Sequence, residues 1–184
     1  GHPDMDPGAF KLDAESVAVI GVGNVAVDVA RILIRDPEEL ARTDISQPVL
    51  DALLASNVRE VHVIGRRGPA QAKFTTKELR ELGELTGVDI AVPGPEADLA
   101  AFDACGEGGK LVESDRRVRG NLAVIDDWAA RCPDWSARQL NDRWLNVRFW
   151  LRPVRIEGNG RVSGLVVERT RLDENSKLIG TGEY

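Results

Sequence analysis

Two glycines in a short loop near the start of the chain have the clearest chemical signature in this sequence. Gly21 and Gly23 belong to the stretch Gly-Val-Gly-Asn-Val-Ala, which ends at Ala26 and follows the pattern G-x-G-x-x-A. In a dinucleotide-binding loop the first glycine permits a tight turn, and the second lets the backbone approach a pyrophosphate. The predicted pyrophosphate contacts are Gly21, Val22, Gly23, Asn24 and Val25. The alternative is a strand-to-helix turn that uses glycine for its geometry alone.

A second group with chemical meaning is the pair Arg66-Arg67, which follows the apolar run from Glu60 to Gly65. In a dinucleotide fold a carboxylate at the end of the second strand favours NAD, whereas arginine favours the 2′-phosphate of NADP. Guanidinium groups give charge-assisted, bidentate hydrogen bonds to phosphate. The pair therefore predicts NADP(H), with a solvated arginine pair as the alternative. Arg66 lies 45 positions after Gly21, against the usual spacing of about 20, and a helix at about 47–56 accounts for the surplus.

The elements around the loop have the patterns that such a site requires. Val17–Gly21 is a short continuous apolar run, which predicts a strand buried on both faces. Residues Asn24–Arg35 follow it with helical periodicity. The free amides at the start of that helix would face an anion, with the helix dipole aligned. The apolar face predicted for the helix contains Val25, Val29, Ile32 and Leu33.

Further helices are marked by their start signals. Pro37 begins a short helical turn after Asp36, and Ser46 caps a helix with Val49, Leu50, Leu53 and Leu54 on its apolar side. Thr75 and Glu78 form a predicted capping box, which opens a helix that extends to about Leu85. A last helix is predicted over Arg119–Arg131, with Leu122, Ile125, Trp128 and Ala129 at helical spacing.

Strands alternate with helices over the first 92 residues, and this order predicts a parallel sheet. The third strand is predicted at Val88–Val92, and one or two further strands at Trp144–Glu157. Gly158 to Gly160 form a turn signal, with a hairpin partner at Val162–Arg169. The predicted fold class is α/β: a Rossmann-like, three-layer NAD(P)-binding domain with a parallel sheet plus a C-terminal antiparallel hairpin from 144 onward. Residues 1–184 are predicted to form one domain, with 1–15 as a connecting segment.

Composition excludes several other classes of protein. Thirty carboxylates outnumber 24 basic residues, for a net charge of −6, so broad nucleic-acid binding is not expected. There is no apolar run long enough for a membrane span and no signal peptide at the start. Cys105, Cys132 and only two histidines form no metal-ligand or dithiol pattern, so we expect no metal site and two reduced thiols. Gly106–Lys110 lacks the spacing of a P-loop.

Three stretches together resemble the adrenodoxin-reductase-like ferredoxin–NADP⁺ reductases: Val19–Leu33, Thr43–Ile45 and Val63–Leu82. The resemblance is specific over Val17–Val92 and weaker through Arg119–Arg131 and Val147–Arg169. In that family an NADP domain is inserted within an FAD domain. The resemblance implies pyrophosphate contacts at Val22, Gly23, Asn24 and Val25, a 2′-phosphate clamp at Arg66 and Arg67, and a carboxylate near the nicotinamide nucleotide at Glu78.

The resemblance also implies an activity for the parent enzyme. Nicotinamide C4 exchanges a hydride with flavin N5, and electrons then pass singly to a ferredoxin-type iron–sulfur protein. This chain has neither the FAD glycine motif nor the flavin-contacting segment of the family, so we expect it to bind NADP(H) without FAD, to hold no catalytic residue and to be inactive alone. A bacterial parent would be cytoplasmic, and a eukaryotic one mitochondrial.

Two alternatives stay open. One is the NADPH domain of another flavin reductase, such as the small subunit of glutamate synthase, although the stretch Phe74–Leu82 argues against it. The other is a non-catalytic module that binds or senses NADP(H). A flavin assay on the parent gene product separates that module from a reductase domain.

Overall fold

The structure of the chain is a computed structural model that describes residues 11–92, 112–131 and 141–184. Cys105, Cys132, the segment 106–110 and most of residues 1–15, which were predicted to be a connecting segment, lie outside these ranges. No cis peptide bond occurs in the described part of the chain.

A four-stranded parallel sheet is the centre of the fold. Its strands are β1 (Ser16–Ile20), β2 (Glu60–Ile64), β3 (Val88–Ala91) and β4 (Arg143–Arg148), in the order β1-β2-β4-β3. All three pairings are parallel. The predicted α/β class with a parallel sheet is therefore confirmed. The carboxyl ends of parallel strands lie at one edge of the sheet, so the loops after β1 and β2 meet there.

Five α-helices have both ends within the described ranges: α1 (Asn24–Ile34), α2 (Pro37–Leu40), α3 (Gln47–Leu54), α4 (Thr76–Gly83) and α5 (Arg116–Arg131). Their starts match the local sequence signals. The side chain of Asp36 accepts a hydrogen bond from the Glu38 amide at the start of α2. Thr75 and Glu78 form the predicted capping box at the start of α4.

The core lies between one face of the parallel sheet and α1, α4 and α5. Val61, Val63 and Leu145 come from the sheet and are almost fully buried, as are Leu79 on α4 and Ile125 on α5. Burial of side chains of this size stabilises the fold by about 1.5–3 kcal/mol each. This packing fixes the sheet edge that carries the glycine loop.

The buried face of α1 differs from the prediction. The buried residues are Ala26, Val27, Ala30 and Ile34. Val25, Val29 and Ile32 are 78%, 44% and 39% exposed, and Leu33 is partly buried. The prediction failed because α1 is apolar around most of its circumference, so periodicity alone did not select the stripe. The small side chains at 26 and 30 let the stripe that contains them approach the sheet closely.

Smaller corrections concern two other helices. On α3, Leu50 and Leu53 are buried as predicted, but Val49 and Leu54 are exposed. On α5, the side chain of Asn121 is buried instead of that of Leu122, because its amide bonds to the main chain before α4. The helix also begins three residues before its predicted start.

A second, antiparallel sheet follows the parallel one in the chain. It consists of β5 (Leu151–Gly158), β6 (Val162–Leu172) and β7 (Leu178–Gly180), in that order. The predicted hairpin is confirmed, but its predicted extent was wrong. β4 belongs to the parallel sheet, between β2 and β3, and not to the antiparallel part predicted from 144 onward. The residues after Leu172 contain β7, which pairs with β6.

Candidate nucleotide-binding site

The glycine loop connects β1 to α1 at the carboxyl edge of the parallel sheet. Gly21 has φ of +135°, a conformation that favours glycine, and its amide donates to the Ile64 carbonyl at 2.9 Å. Gly23 is the N-cap of α1 and has extended backbone that any residue adopts. A Cβ on Gly23 would meet no protein atom within 4 Å. The fold therefore requires glycine at 21, whereas at 23 it leaves a space above the loop.

The first turn of α1 is suited to an anion. The first amides of a helix have no partner within the helix, and here neither an acidic side chain nor a side-chain cap occupies them. They belong to Asn24 and Val25, the residues predicted from sequence. The side-chain oxygen of Asn24 accepts from the Thr75 amide at 3.1 Å, which ties the start of α1 to the start of α4.

The loop that carries Arg66 and Arg67 is fastened to the second sheet. The Leu151 amide donates to the Gly65 carbonyl at 2.9 Å, and the Thr170 hydroxyl donates to the Arg66 carbonyl at 2.7 Å. The Trp150 amide donates to the Arg67 carbonyl at 3.3 Å. The carbonyls of three consecutive residues, 65–67, are therefore hydrogen-bonded, while both arginine side chains are left exposed.

Trp150 supports the same loop through its ring. Its backbone has φ of +58°, uncommon for a bulky residue, and its side chain is only 4% exposed. A Cβ on Gly68 would overlap the indole of Trp150, so the ring packs directly on that glycine. Trp150 therefore belongs to the hydrophobic core of the protein.

A cavity of about 970 Å³ joins these elements, which is within the usual range for ligand sites. It is lined by the glycine loop and by five basic residues: Arg66, Arg67, Lys73, Arg152 and Lys177. No Asp or Glu is among its described lining residues. Arg152 is paired with Glu168, its Nε donating at 2.7 Å. The structure thus brings the predicted glycines and arginines to one site and adds three cations.

Glu78 lies near this site but does not line the cavity. Its Oε2 accepts from the Thr75 hydroxyl at 2.7 Å and from the Thr75 amide at 3.2 Å. The Thr75 amide also donates to the side chain of Asn24, so Thr75 links Glu78 to the start of α1. In this structure its carboxylate serves the capping box.

Comparisons with known proteins show that this chain is similar to one part of several reductases. No family model matches the chain. A solved structure described as Mycobacterium tuberculosis FprA in complex with NADPH aligns with a TM-score of 0.85 and 36% identity, over 99% of this chain. The NADPH-ferredoxin reductase FprA of M. tuberculosis H37Rv is 39% identical over 171 residues, 93% of this chain. The mitochondrial NADPH:adrenodoxin oxidoreductase of Arabidopsis thaliana is 36% identical over 195 aligned positions, all of this chain.

The chain is homologous to one part of the adrenodoxin-reductase-like ferredoxin–NADP reductases. It spans only 35% of the mycobacterial reductase and 39% of the plant one, and 38% of the solved NADPH complex. The resemblance of Val17–Val92 to this family is therefore confirmed and extends over nearly the whole chain. The match to a structure at this TM-score also confirms the α/β fold class.

The sequence did not point to three of the basic residues beside the glycine loop of this reductase homologue. Lys73 follows a short 3-10 turn, Pro69–Gln71. Arg152 lies on β5 and Lys177 lies just before β7, and the position of this second sheet over the β2 loop is set by contacts distant in sequence. Among these, only Arg152 has a sequence signal, since it is a charged residue within the predicted strand segment Trp144–Glu157.

Glu168 fixes the geometry of the second sheet beside the cavity. Arg152 donates to its carboxylate, and the Gly182 amide donates to Oε1 at 3.1 Å. The hydrogen bonds from Arg152 first, and then from Gly182, lower the pKa of Glu168 below its ordinary value. The carboxylate is thus charged at neutral pH and links β5, β6 and the segment after β7.

Two further kinds of site were searched for in the described ranges. Residues 11–92, 112–131 and 141–184 contain no group of His, Cys, Asp and Glu arranged to hold a metal ion. No helix within those ranges has the length and apolar character needed to cross a membrane.

Proposed function

We propose that this chain is the NADP(H)-binding part of a flavin-dependent ferredoxin or adrenodoxin reductase. Its own residues bind and orient the nucleotide. When bound, NADPH supplies a hydride from its nicotinamide ring, and the parent protein's FAD is the acceptor. The relatives reported above are named as ferredoxin or adrenodoxin reductases, which supports this reading over a glutamate synthase subunit.

The observation that carries the proposal is a concentration of unpaired positive charge beside the glycine loop. Arg66, Arg67, Lys73 and Lys177 line one cavity, and none of them forms an ion pair with another described residue. The chain as a whole has a net charge of −6, so the charge of this cluster is opposite in sign to the net charge of the chain. A cavity with this charge, lined also by the glycine loop that leads into α1, suits a ligand with several phosphates.

We assign the 2′-phosphate to Arg66 and Arg67 and the pyrophosphate to residues Gly21–Val25. The arginine pair follows β2, where a dinucleotide fold receives the adenosine ribose, and its guanidinium groups are exposed and unpaired with described carboxylates. A contact from Glu78 to the nucleotide is also proposed. For this contact the Glu78 carboxylate would have to bind the ribose or the nicotinamide in addition to capping α4.

The partners and location of the parent protein are part of the proposal. The electron acceptor is a ferredoxin-type iron–sulfur protein, and the remaining FAD-binding part of the parent contacts this chain. A bacterial parent is assigned to the cytoplasm and a eukaryotic one to mitochondria. A non-catalytic module that only senses NADP(H) is the second candidate, and the flavin content of the parent protein distinguishes the two.

The test of the nucleotide assignment is the double variant Arg66→Ala, Arg67→Ala. A hydrogen bond to a charged group contributes about 1.5–3 kcal/mol, and exposure reduces each contribution toward the lower figure. The two together should contribute roughly 3–4 kcal/mol, or about two to three decades in affinity. Calorimetry should therefore show that NADP⁺ binding weakens by that factor while NAD⁺ binding is nearly unchanged.

The matched control is Arg80→Ala, an exposed arginine on α4 that does not line the cavity. It should leave both affinities unchanged. Added salt should reduce the preference for NADP⁺ in the wild-type chain, because exposed charges are screened. Equal losses for NADP⁺ and NAD⁺ in the double variant would contradict the assignment of the pair to the 2′-phosphate.

A further inference from the structure

Lys73 lies where two cavities meet. One is the 970 Å³ cavity that contains Arg66 and Arg67. The other, of about 640 Å³, is lined by the start of α1, including Gly23, Asn24 and Val25. Lys73 lines both, whereas the two arginines line only the first. It is the one basic residue among the described lining of the second cavity.

The main chain of Lys73 is fixed against the glycine loop. Its amide donates to the Val22 carbonyl at 2.9 Å, and it forms an isolated parallel bridge with Gly23. Its neighbours Ala72 and Phe74 are buried at 2% and 1% exposure, and the Asn121 amide donates to the Phe74 carbonyl at 3.0 Å. Because buried and exposed residues alternate along this segment, the side chain of Lys73 lies on the exposed side, beside the glycine loop.

The charge of Lys73 is not neutralised within the described part of the chain. No ion pair joins its ammonium to another residue of the described ranges. The carboxylate of Glu78, at the start of the following helix, is bonded to Thr75. Lys73 therefore adds a free positive charge to the space that Gly23 leaves open and that the first amides of α1 face.

We propose that Lys73 binds the diphosphate bridge of the dinucleotide, and that it sets affinity without contributing to the choice between NADP and NAD. This inference rests on the proposed function. Its position at the glycine loop, and not at the end of β2, separates it from the arginine pair. An ammonium acts as a point charge toward phosphate and does not require the planar geometry that guanidinium needs.

The experiment compares Lys73→Gln with the wild-type chain by calorimetry, using NADP⁺, NAD⁺ and 2′-AMP. NADP⁺ and NAD⁺ share the diphosphate, while 2′-AMP has only the 2′-phosphate. The expected result is a loss of about tenfold for both dinucleotides, the size of one exposed contact to a charged group, and no change for 2′-AMP. Lys73→Arg should retain most of the affinity because it keeps the charge.

The control is Lys77→Gln, an exposed lysine on α4 that pairs with Glu81 outside both cavities. It should change no affinity. Thermal unfolding of Lys73→Gln should match the wild type, since the side chain is exposed. A loss confined to NADP⁺ and 2′-AMP, or no loss at all, would overturn the inference while the proposed function stands. A wild-type chain that binds neither dinucleotide would overturn the proposed function, and this inference with it.

Discussion

The two glycines of the loop meet different demands at the residue scale. Gly21 has a positive φ, which L-residues adopt at a cost of about 1–3 kcal/mol. Gly23 has an ordinary extended conformation and open space where its Cβ would be. The protein therefore gains nothing in packing from glycine at 23. Under the proposed function, a ligand that needs close approach of the backbone explains that residue.

This difference predicts opposite outcomes for two alanine substitutions. Gly23→Ala should leave the free energy of unfolding within about 1 kcal/mol, because the loss of a glycine N-cap and the lower entropy of the unfolded chain offset one another. It should weaken NADP⁺ binding by about ten- to a hundredfold, the cost of about 1–3 kcal/mol for overpacking a filled site. Gly21→Ala should destabilise the fold. Urea unfolding and calorimetry measure the two effects, and a Gly23→Ala variant with normal affinity would contradict the assignment of the loop.

At the scale of elements, the second sheet acts as a support for the arginine loop. Thr170 on β6 and the amides of Trp150 and Leu151 hold the main chain of residues 65–67. Glu168 binds Arg152 and Gly182, which joins three segments of that sheet. The placement of the proposed 2′-phosphate contacts therefore depends on an element that lies about a hundred residues later in the chain.

The lowered pKa of Glu168 predicts how this support responds to acid. A carboxyl group with a lowered folded-state pKa contributes stability that is fully present above its unfolded pKa of about 4.3. That contribution is lost as pH falls through the folded-state value. Glu168→Gln should destabilise the chain at pH 7, and the difference from wild type should shrink as pH falls below about 4.3. Urea unfolding of both proteins, at pH 7 and at a pH below about 4.3, measures this difference in the free energy of unfolding.

The control for this prediction is Glu157→Gln, which removes an ion pair with Arg155 on the exposed side of β5. Surface pairs of this kind contribute about 0–1 kcal/mol, so that variant should differ little from wild type at either pH. A gap between wild type and Glu168→Gln that stays constant with pH would contradict a role for the ionised carboxylate.

At the scale of the whole molecule, the chain corresponds to little more than a third of its reductase relatives. Its sequence contains one G-x-G-x-x-A motif, which the proposed function assigns to NADP(H). A dinucleotide such as FAD needs a pyrophosphate site of its own. The chain should therefore bind NADP⁺ while lacking the redox cofactor of the parent enzyme.

We predict that the purified chain carries no flavin and does not transfer electrons from NADPH to ferredoxin or to a dye. The absorption spectrum of the purified protein and a dye-reduction assay measure this. NADP⁺ binding by the same preparation shows that it is folded. A yellow protein with the visible absorption of oxidised flavin would contradict the prediction.

The local features of this protein were predictable from its sequence. The tight turn at Gly21, the Pro37 helix start, the Thr75–Glu78 capping box and the Gly158–Gly160 turn all appear where the sequence placed them. Each depends on a few neighbouring residues, through φ preference or a side-chain hydrogen bond within three positions. The glycine and arginine motifs of the candidate site could be recognised for the same reason.

Only the tertiary structure decided the rest. The position of β4 in the parallel sheet could not be predicted from the sequence. Its partners β2 and β3 lie far back in the chain, and hydrogen-bond pairing at that distance leaves no local pattern. The buried stripe of α1 was undetermined because both candidate stripes are apolar, and close packing against the sheet selected the one with Ala26 and Ala30. Lys73 lies at the site because backbone contacts hold its main chain against the glycine loop. Lys177 lies there because hydrogen bonds between segments distant in sequence fasten the second sheet to the loop after β2.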